Sequence, residues 1–319
     1  MALLVDGIAA PVAGIDSASL GRVLAAIVEA SRDVSHHVRA GALLPAADPE
    51  GARNVHGEVV HSLDIIGTER FVEAFDASGT VAGLVCEELA APKFFDVPDG
   101  AESYLCVLDP IDGTSNADIA ITIGSIFGVF ATPTGVLLEG EQPFLLPGRD
   151  FVAAGYVLYG SSTVLVLATS DLVQEFTFDD ESRQYRLTRP NVQIPADCPY
   201  YSVNQGYAGR WDPAVRRAVD VVREGRSLRY VGSLVSDFHR GLVRGGVFLY
   251  PADSQSPNGK IRVLYEAAVF AYIAAQAGGA ASTGEGPVLD LVPESVHERT
   301  PLFVGNASAV EAIDQALRG

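Results

Sequence analysis

The chain has 319 residues, of which 48% are hydrophobic, and carries 40 acidic against 22 basic side chains for a formal charge of −18. That length and apolar content suffice for one large domain or two packed ones. The acidity argues against a nucleic-acid or anionic-membrane surface as principal partner, so a phosphorylated ligand needs a local basic pocket. No apolar run approaches the roughly 18 residues of a membrane helix, and the run Met1-Ala-Leu-Leu-Val5 is cut by Asp6 with no basic region before it; both predict a cytoplasmic protein without nucleic-acid or membrane partners. Cys86, Cys106 and Cys198 are odd in number and lack CxxC spacing, which predicts reduced thiols.

Leu20, Val23, Leu24, Ile27, Val28, Val34 and Val38 recur at helical spacing over residues 17–40, with Ser17 or Ser19 as N-cap, and predict a long amphipathic helix. A Pro- and Gly-bearing loop over 41–57 follows, then a second helix around 68–75, a strand over 81–85 and the acidic pair Glu87-Glu88. The apolar run Tyr104-Leu-Cys-Val-Leu108 reads as a buried strand, and 119–130, 151–158, 163–168 and 173–178 as further β-rich segments between Pro/Gly turns. Periodicity breaks between Pro190 and Pro199, which sets a boundary between units 1–192 and 193–319. Beyond it, helices near 213–223, 233–244 and 261–277 alternate with strands near 247–250 and 287–291, the signature of an α/β chain with layered helices and sheets. There is no internal repeat and no low-complexity tail.

The most informative stretch is Asp109-Pro-Ile-Asp-Gly-Thr-Ser-Asn-Ala-Asp118. The strand before it delivers Asp109 to the sheet edge, Pro110 bends the chain, and Asp112 follows, so both acids reach one small volume. Carboxylates suit hard divalent ions such as Mg²⁺, and Gly113 lets backbone amides approach a phosphate oxygen. An ordinary turn with solvated acids is the competing reading. Glu58, Asp64, Glu87 and Glu88 add four acids. Neighbouring strand residues face opposite ways, so Glu87 and Glu88 divide their roles, one on metal and one on a proton, unless a turn reorients them; a solvated loop is the alternative. Ligands gather at the carboxyl ends of strands in such sheets, which brings positions 87 and 109 together.

The second half supplies polar and basic groups. Asn204-Gln-Gly-Tyr207 is a polar turn, Arg229 and Tyr230 precede a helix, Tyr250 ends a strand, and Asn258-Gly-Lys-Ile-Arg262 presents Lys260 and Arg262 before a helix containing Glu266. Arginine grips phosphate through two parallel hydrogen bonds while lysine acts as a compact charge; snorkelling, solvent-exposed cations are the alternative. Glu266 interrupts an apolar face, and a buried carboxylate needs a cation or hydrogen bonds. The six histidines, among them His36-His37 and His239, form no ligand cluster and all read as structural. GxSxG and P-loop motifs are absent.

On these residues the chain resembles class I fructose-1,6-bisphosphatases, within the lithium-sensitive, metal-dependent sugar and inositol phosphatases. The likeness runs from about residue 17 to the end and is carried by 109–118, with Ile and Thr at two positions where the family has Leu and Ser, and by Gly124-Ser-Ile-Phe-Gly128, Ala153-Ala-Gly-Tyr-Val-Leu-Tyr-Gly160, Arg229-Tyr-Val-Gly-Ser233, Gly245-Gly-Val-Phe-Leu-Tyr-Pro251 and Leu264-Tyr-Glu266. The resemblance implies a layered α-β-α-β-α sugar phosphatase fold of two packed subdomains with mixed sheets, the first metal-binding, the second sugar-phosphate-binding. It implies that Asp109, Asp112 and Glu266 hold one ion, that Glu87, Asp109 and the Ile111 carbonyl hold a second, and that Glu58 with Glu87 completes a weaker third, Glu58 standing where many relatives have Asp. The ions would be Mg²⁺, with Mn²⁺ as the alternative.

By the same resemblance Asp64 and Glu88 activate the attacking water. Asp112, Gly113, Thr114 and Ser115 surround the 1-phosphate with help from Arg262. Asn204, Tyr207, Tyr230, Tyr250 and Lys260 meet the 6-phosphate, Gly232 and Ser233 belong to the substrate-binding set, and Arg229 reaches in from a neighbouring subunit of a homotetramer. The implied reaction is hydrolysis of fructose 1,6-bisphosphate to fructose 6-phosphate and phosphate, in gluconeogenesis or the Calvin cycle. A sedoheptulose-1,7-bisphosphatase or dual enzyme, and a catalytically silent sugar-phosphate sensor, are the rival readings. The family's AMP pocket uses a Thr-Gly-Glu turn, a Lys-Tyr pair and a strand Arg; here Ala18-Ser-Leu, Ser103-Tyr104 and Ala131 stand in those places, which implies weak or no AMP inhibition. The cysteine-rich redox loop of chloroplast forms is also missing, so thiol switching has little support.

Overall fold

Ser17 starts the first helix, its Oγ accepting hydrogen bonds from the backbone N–H of Ser19 and Leu20 at 3.1 and 3.4 Å. The computed structural model describes residues 2–15, 17–43, 61–170 and 172–319. Glu58 and most of the loop expected over 41–57 lie outside the described residues.

In chain order a short hairpin of β1 (Ala2–Leu4) and β2 (Pro11–Ala13) precedes α1 (Ala18–Ala40) and α2 (Ser62–Ser78). Then come β3 (Val81–Cys86), β4 (Lys93–Phe94), β5 (Tyr104–Asp112), β6 (Ile123–Ala131), β7 (Phe151–Tyr159), β8 (Thr163–Thr169), β9 (Val173–Asp179) and β10 (Gln184–Arg189). They form one eight-stranded sheet in the order β10-β9-β8-β7-β6-β5-β3-β4, antiparallel except for the parallel pair β3 and β5. The remainder is β11 (Tyr200–Ser202), α3 (Pro213–Arg223), β12 (Ser227–Leu228), α4 (Leu234–Arg244), β13 (Val247–Tyr250), β14 (Ile261–Arg262), α5 (Ala268–Gln276), β15 (Ala280–Ser282), β16 (Arg299–Thr300), β17 (Leu302–Gly305) and α6 (Ala307–Arg318). Five of these strands make a second mixed sheet, β12-β11-β13-β17-β15.

Three apolar cores separate five layers. Leu24, Ile27 and Phe71 of α1 and α2 pack on one face of the large sheet through Leu84, Leu108 and Phe127. The other face presents Val85, Val107, Ile126 and Tyr156 to Phe238 of α4, Phe270 of α5 and Val304 of the second sheet. Beyond that sheet, Val219 and Ile313 of α3 and α6 close the third core against Tyr201, Leu249 and Phe303. The order is α-β-α-β-α, as the resemblance implies. No described helix is long and apolar enough to cross a membrane.

Several elements differ from their sequence expectation for local reasons. α2 starts six residues before position 68 because Asp64 Oδ2 accepts from the His61 N–H at 3.0 Å and satisfies an N-terminal donor. β5 runs on through Pro110 to Asp112, with a register shift between Asp109 and Asp112 that absorbs the proline. The helix expected over 261–277 is divided into β14, a π-helical turn (Val263–Ala267) and α5. The strand expected over 287–291 is instead a 3-10 turn (Val288–Asp290) behind Pro287, so that expectation is wrong: the proline lacks the N–H a strand ladder uses.

Candidate active site

Alternation along two neighbouring strands sets the acidic end. Leu105 and Val107 of β5 enter the core shared with α4 and α5, while Cys106 and Leu108 face α1 and α2. Asp109, two on from Val107, therefore points to the α5 side. On β3, Val85 has the same orientation, so Glu87 follows it; its N–H still donates to the Leu108 carbonyl at 3.0 Å. The turn after Cys86 lets Glu88 line the same cleft, which resolves the conflict between adjacent residues. The cleft, of about 320 Å³, is lined by Asp64, Glu87, Glu88, Asp109, Asp112 and Glu266, with Ile111, Gly113, Thr114, Ser115, His61 and Arg262.

Asp112 sits at the start of α4. Its carboxylate accepts from Ser233 Oγ at 2.6 Å, Leu234 N–H at 3.2 Å and Val235 N–H at 2.9 Å, donors a helix N-terminus leaves open. Gly113 makes this approach possible: its φ is 81°, and a Cβ there would lie 2.7 Å from Ser233 Cβ. Asp109 accepts from the Ile111 N–H at 3.0 Å, and Ser125 Oγ donates to the Pro110 carbonyl at 2.6 Å, so the bend itself is braced. Thr114 Oγ1 lies 2.8 Å from Asp64 Oδ1 and 3.0 Å from the Ile111 carbonyl oxygen. Asp64, from α2, thereby joins the motif turn.

Glu266 arrives from the π-helical turn and accepts from the Arg262 N–H at 2.6 Å. The Arg262 guanidinium is buried and reaches Glu87 Oε1 at 2.8 Å and Glu266 Oε2 at 3.9 Å, so the solvent-exposed alternative fails for it. His297, which no motif marks in the sequence, ties the walls together. Its Nε2 lies 3.0 Å from the Leu89 carbonyl and its Nδ1 2.9 Å from the Tyr265 hydroxyl; the only consistent tautomer has Nε2–H donating and Nδ1 accepting. The turn bearing Glu87 and Glu88 is thus fastened beside Glu266. His61 was also missed; its spacing of three from Asp64 was the available signal.

Carboxylate oxygens of Asp109, Asp112 and Glu266 all lie within 4.8 Å of one another, and all three residues are buried. Burial pushes the Asp109 carboxyl well above the usual range, and Glu87, Asp112 and Glu266 push it further. Burial also raises Asp112, opposed by its bonds to Ser233, Val235 and Leu234. Five buried acids, Asp64 and Glu87 included, line the cleft with the single guanidinium of Arg262, a balance that disfavours full ionisation in a dry place without a further cation. The donors are all hard oxygens. Ligands on an octahedral Mg²⁺ stand about 3–4 Å apart, so a small closure of these side chains fits one divalent ion.

A second group, aromatic and cationic, stands outside the lining of that cleft. Tyr207 lies in a 3-10 turn (Gln205–Arg210) capped by Asn204, whose side chain accepts from the Gly206 N–H at 3.0 Å. Lys260 Nζ is 5.4 Å from the Tyr207 ring centre and the Arg210 guanidinium 4.4 Å. Burial pushes Tyr230 up to about 12, helped by Asp237 and Tyr207 and opposed by the Asn204 side chain. Burial raises Tyr250 as well, helped by the charges of Tyr230, Tyr207 and Glu266. The segment 230–233 is held by Asp237, whose carboxylate accepts from the Val231 N–H at 2.9 Å and the Gly232 N–H at 2.9 Å. Arg229 is exposed, with its guanidinium 5.5 Å from the Tyr200 ring centre.

Comparison with known proteins gives a consistent picture. A family model described as the fructose-1,6-bisphosphatase N-terminal domain matches residues 13–190, and one for the C-terminal domain matches 194–318. A class 1 fructose-1,6-bisphosphatase of Sorangium cellulosum is 45% identical over 294 residues, covering 90% of this chain and 84% of the relative. A cytosolic fructose-1,6-bisphosphatase of Arabidopsis thaliana is 44% identical over 273 residues, 82% of this chain and 78% of the relative. The crystal structure of Leishmania major fructose-1,6-bisphosphatase in holo form superposes with a TM-score of 0.89 at 32% identity, over 95% of each chain; the apo form gives 0.84.

Proposed function

The chain belongs to the fructose-1,6-bisphosphatase family, and from that premise we propose how its own residues carry out metal-dependent hydrolysis of the 1-phosphate of D-fructose 1,6-bisphosphate. The observation that carries the reading is the convergence of Asp109, Asp112 and Glu266 within 4.8 Å. These three hold one divalent ion, and Glu87 with Asp109 and the Ile111 carbonyl hold a second; Mg²⁺ is the proposed metal, at two to three ions per subunit. Bound there, the metal supplies a Lewis acid that lowers the pKa of water and neutralises charge on the leaving oxygen.

The chain's part is placement. Asp112, Gly113, Thr114 and Ser115 border the 1-phosphate, with Arg262 in the wall beside them. Asp64 and Glu88 accept the proton of the attacking water, Asp64 through its contact with Thr114. Asn204, Tyr207, Tyr230, Tyr250 and Lys260 receive the 6-phosphate as donors and charge, with Gly232 and Ser233 shaping the segment between the two ends. We propose residues 1–192 and 193–319 as the metal-binding and sugar-phosphate units, a cytoplasmic homotetramer as the working form, and Arg229 as a contribution to the neighbouring subunit's site.

Insensitivity to AMP is part of the proposal. At the first turn of α1 the Ser17 hydroxyl is hydrogen-bonded to Glu102, whose other oxygen accepts from the Tyr104 hydroxyl at 2.8 Å. Those bonds hold the Glu102 carboxyl below its usual range, so an ionised acid already stands where a phosphate would need a helix N-terminus.

Phosphate release from fructose 1,6-bisphosphate in Mg²⁺, compared with EDTA and with sedoheptulose 1,7-bisphosphate, tests the reading. Mg²⁺-dependent release, with the higher kcat/KM on the fructose ester, is expected. Equal release in EDTA, or none on either ester, would overturn it.

A further inference from the structure

Arg210 belongs to none of the motifs above, yet its guanidinium lies 4.4 Å from the centre of the Tyr207 ring, closer than Lys260 Nζ at 5.4 Å. Two cations thus crowd one phenol in a chain whose formal charge is −18. Neither cation is ion-paired to a carboxylate among the described residues. The ring's negative face attracts each of them weakly; a doubly charged anion within reach of both would do so far more strongly.

The surroundings favour such an anion. Tyr207 is coupled electrostatically to Tyr230 and Tyr250, and Asn204 caps the turn that Arg210 ends. Arg210 is also fixed from behind: its carbonyl accepts from the Ser254 N–H at 3.2 Å, which ties it to the loop leading from Tyr250 to Lys260. A guanidinium can stack on an aromatic face and still offer N–H groups at its edge, which an ammonium cannot do.

We propose that Arg210 is a specificity-determining residue that joins Lys260 in seating the phosphate farther from the scissile bond. The assignment rests on the bisphosphatase reading and extends it: Arg210 makes the enzyme select a sugar carrying two phosphates over one carrying only the phosphate that is cleaved. Its charge acts on binding at the distal end rather than on the reacting atoms.

The test is the ratio of kcat/KM for fructose 1,6-bisphosphate to that for fructose 1-phosphate, measured for wild type, Arg210→Met and Arg210→Lys, with Tm as the folding control. Methionine keeps the aliphatic stem and removes the charge, and the ratio is expected to fall about tenfold, through KM of the bisphosphate, as the loss of one charge-assisted hydrogen bond dictates. Lysine keeps the charge without the planar stack and should restore part of it. An unchanged ratio in Arg210→Met, or equal loss on both substrates, would overturn the inference while leaving the hydrolase reading intact. Wild-type protein inactive on both substrates would instead remove the reading beneath it.

Discussion

At the acidic end, Asp109 and Glu87 come off adjacent strands of the large sheet and Asp112 is gripped by three donors at the start of α4; at the aromatic end, Tyr207 sits in a turn beside two cations and Tyr230 starts a segment held by the Asp237 carboxylate. The first arrangement fixes oxygens through backbone and so tolerates little change. It also stores repulsion that a bound cation releases. The second holds its donors through side chains and matches a ligand that brings its own charge. Mutations should therefore act on turnover and metal affinity at one end and on KM at the other.

The sharpest break of that contrast is Asp112→Asn. The amide keeps the shape at the α4 N-terminus but withdraws an anionic ligand, so turnover should fall by at least about 100-fold with far-ultraviolet circular dichroism unchanged. Wild-type-like turnover at saturating Mg²⁺ would show that Asp112 is only a helix cap.

Metal removal comes next. Asp109 and Asp112 have carboxyl pKa values raised above the ordinary 3.8, so in the metal-free protein their contribution favours the fold below about pH 4 and is lost as pH rises through the folded values. Metal binding cancels that loss, and Mg²⁺ at about 100 times its Kd should add about 2.7 kcal/mol. Thermal unfolding with and without EDTA at pH 5 and pH 8 should show a larger Mg²⁺ effect at pH 8; an equal or reversed difference would count against the acidic cluster as the binding site.

Ser233→Ala removes both the 2.6 Å bond to Asp112 and the N-cap contact to the Ser236 N–H at 3.3 Å. A stability loss of about 1 kcal/mol and a Mg²⁺ affinity loss of about tenfold are expected from denaturation and from metal titration of activity.

The smallest effect belongs to the aromatic end. Burial raises Asp237 to about 6, so its pull on the Val231 and Gly232 N–H groups weakens as pH falls through that value, and KM should rise about threefold as Tyr230 loosens. The same shift makes this group's stability contribution largest below 3.8 and lost as pH rises through about 6, so acid should loosen the aromatic end without unfolding it. Phosphate esters titrate nearby, so the decisive comparison is wild type against Asp237→Asn, which should lack this limb of the KM profile.

The acidic end was legible in the sequence because each acid follows an apolar run whose alternation dictates its side. Glu266 was legible as a charge in an otherwise apolar segment. Less visible was the capture of Asp112 by Ser233, since it joins residues 121 positions apart. His297 and Arg210 carried no signal at all: a histidine near the end of the chain and an arginine before a tryptophan acquire meaning only when Leu89 and Tyr207 lie beside them. Among fold elements, long apolar strands and capped helices were read well. β11, β15 and β17, of three or four residues each, were missed because so short a run carries no period, and α6 because its alanines blur the apolar stripe.

Anomalous diffraction from crystals grown with Mn²⁺ asks the central question most directly. A peak among the carboxylates of Asp109, Asp112 and Glu266 is the predicted result; Mn²⁺ bound elsewhere, with those three acids left without an ion, would contradict the account.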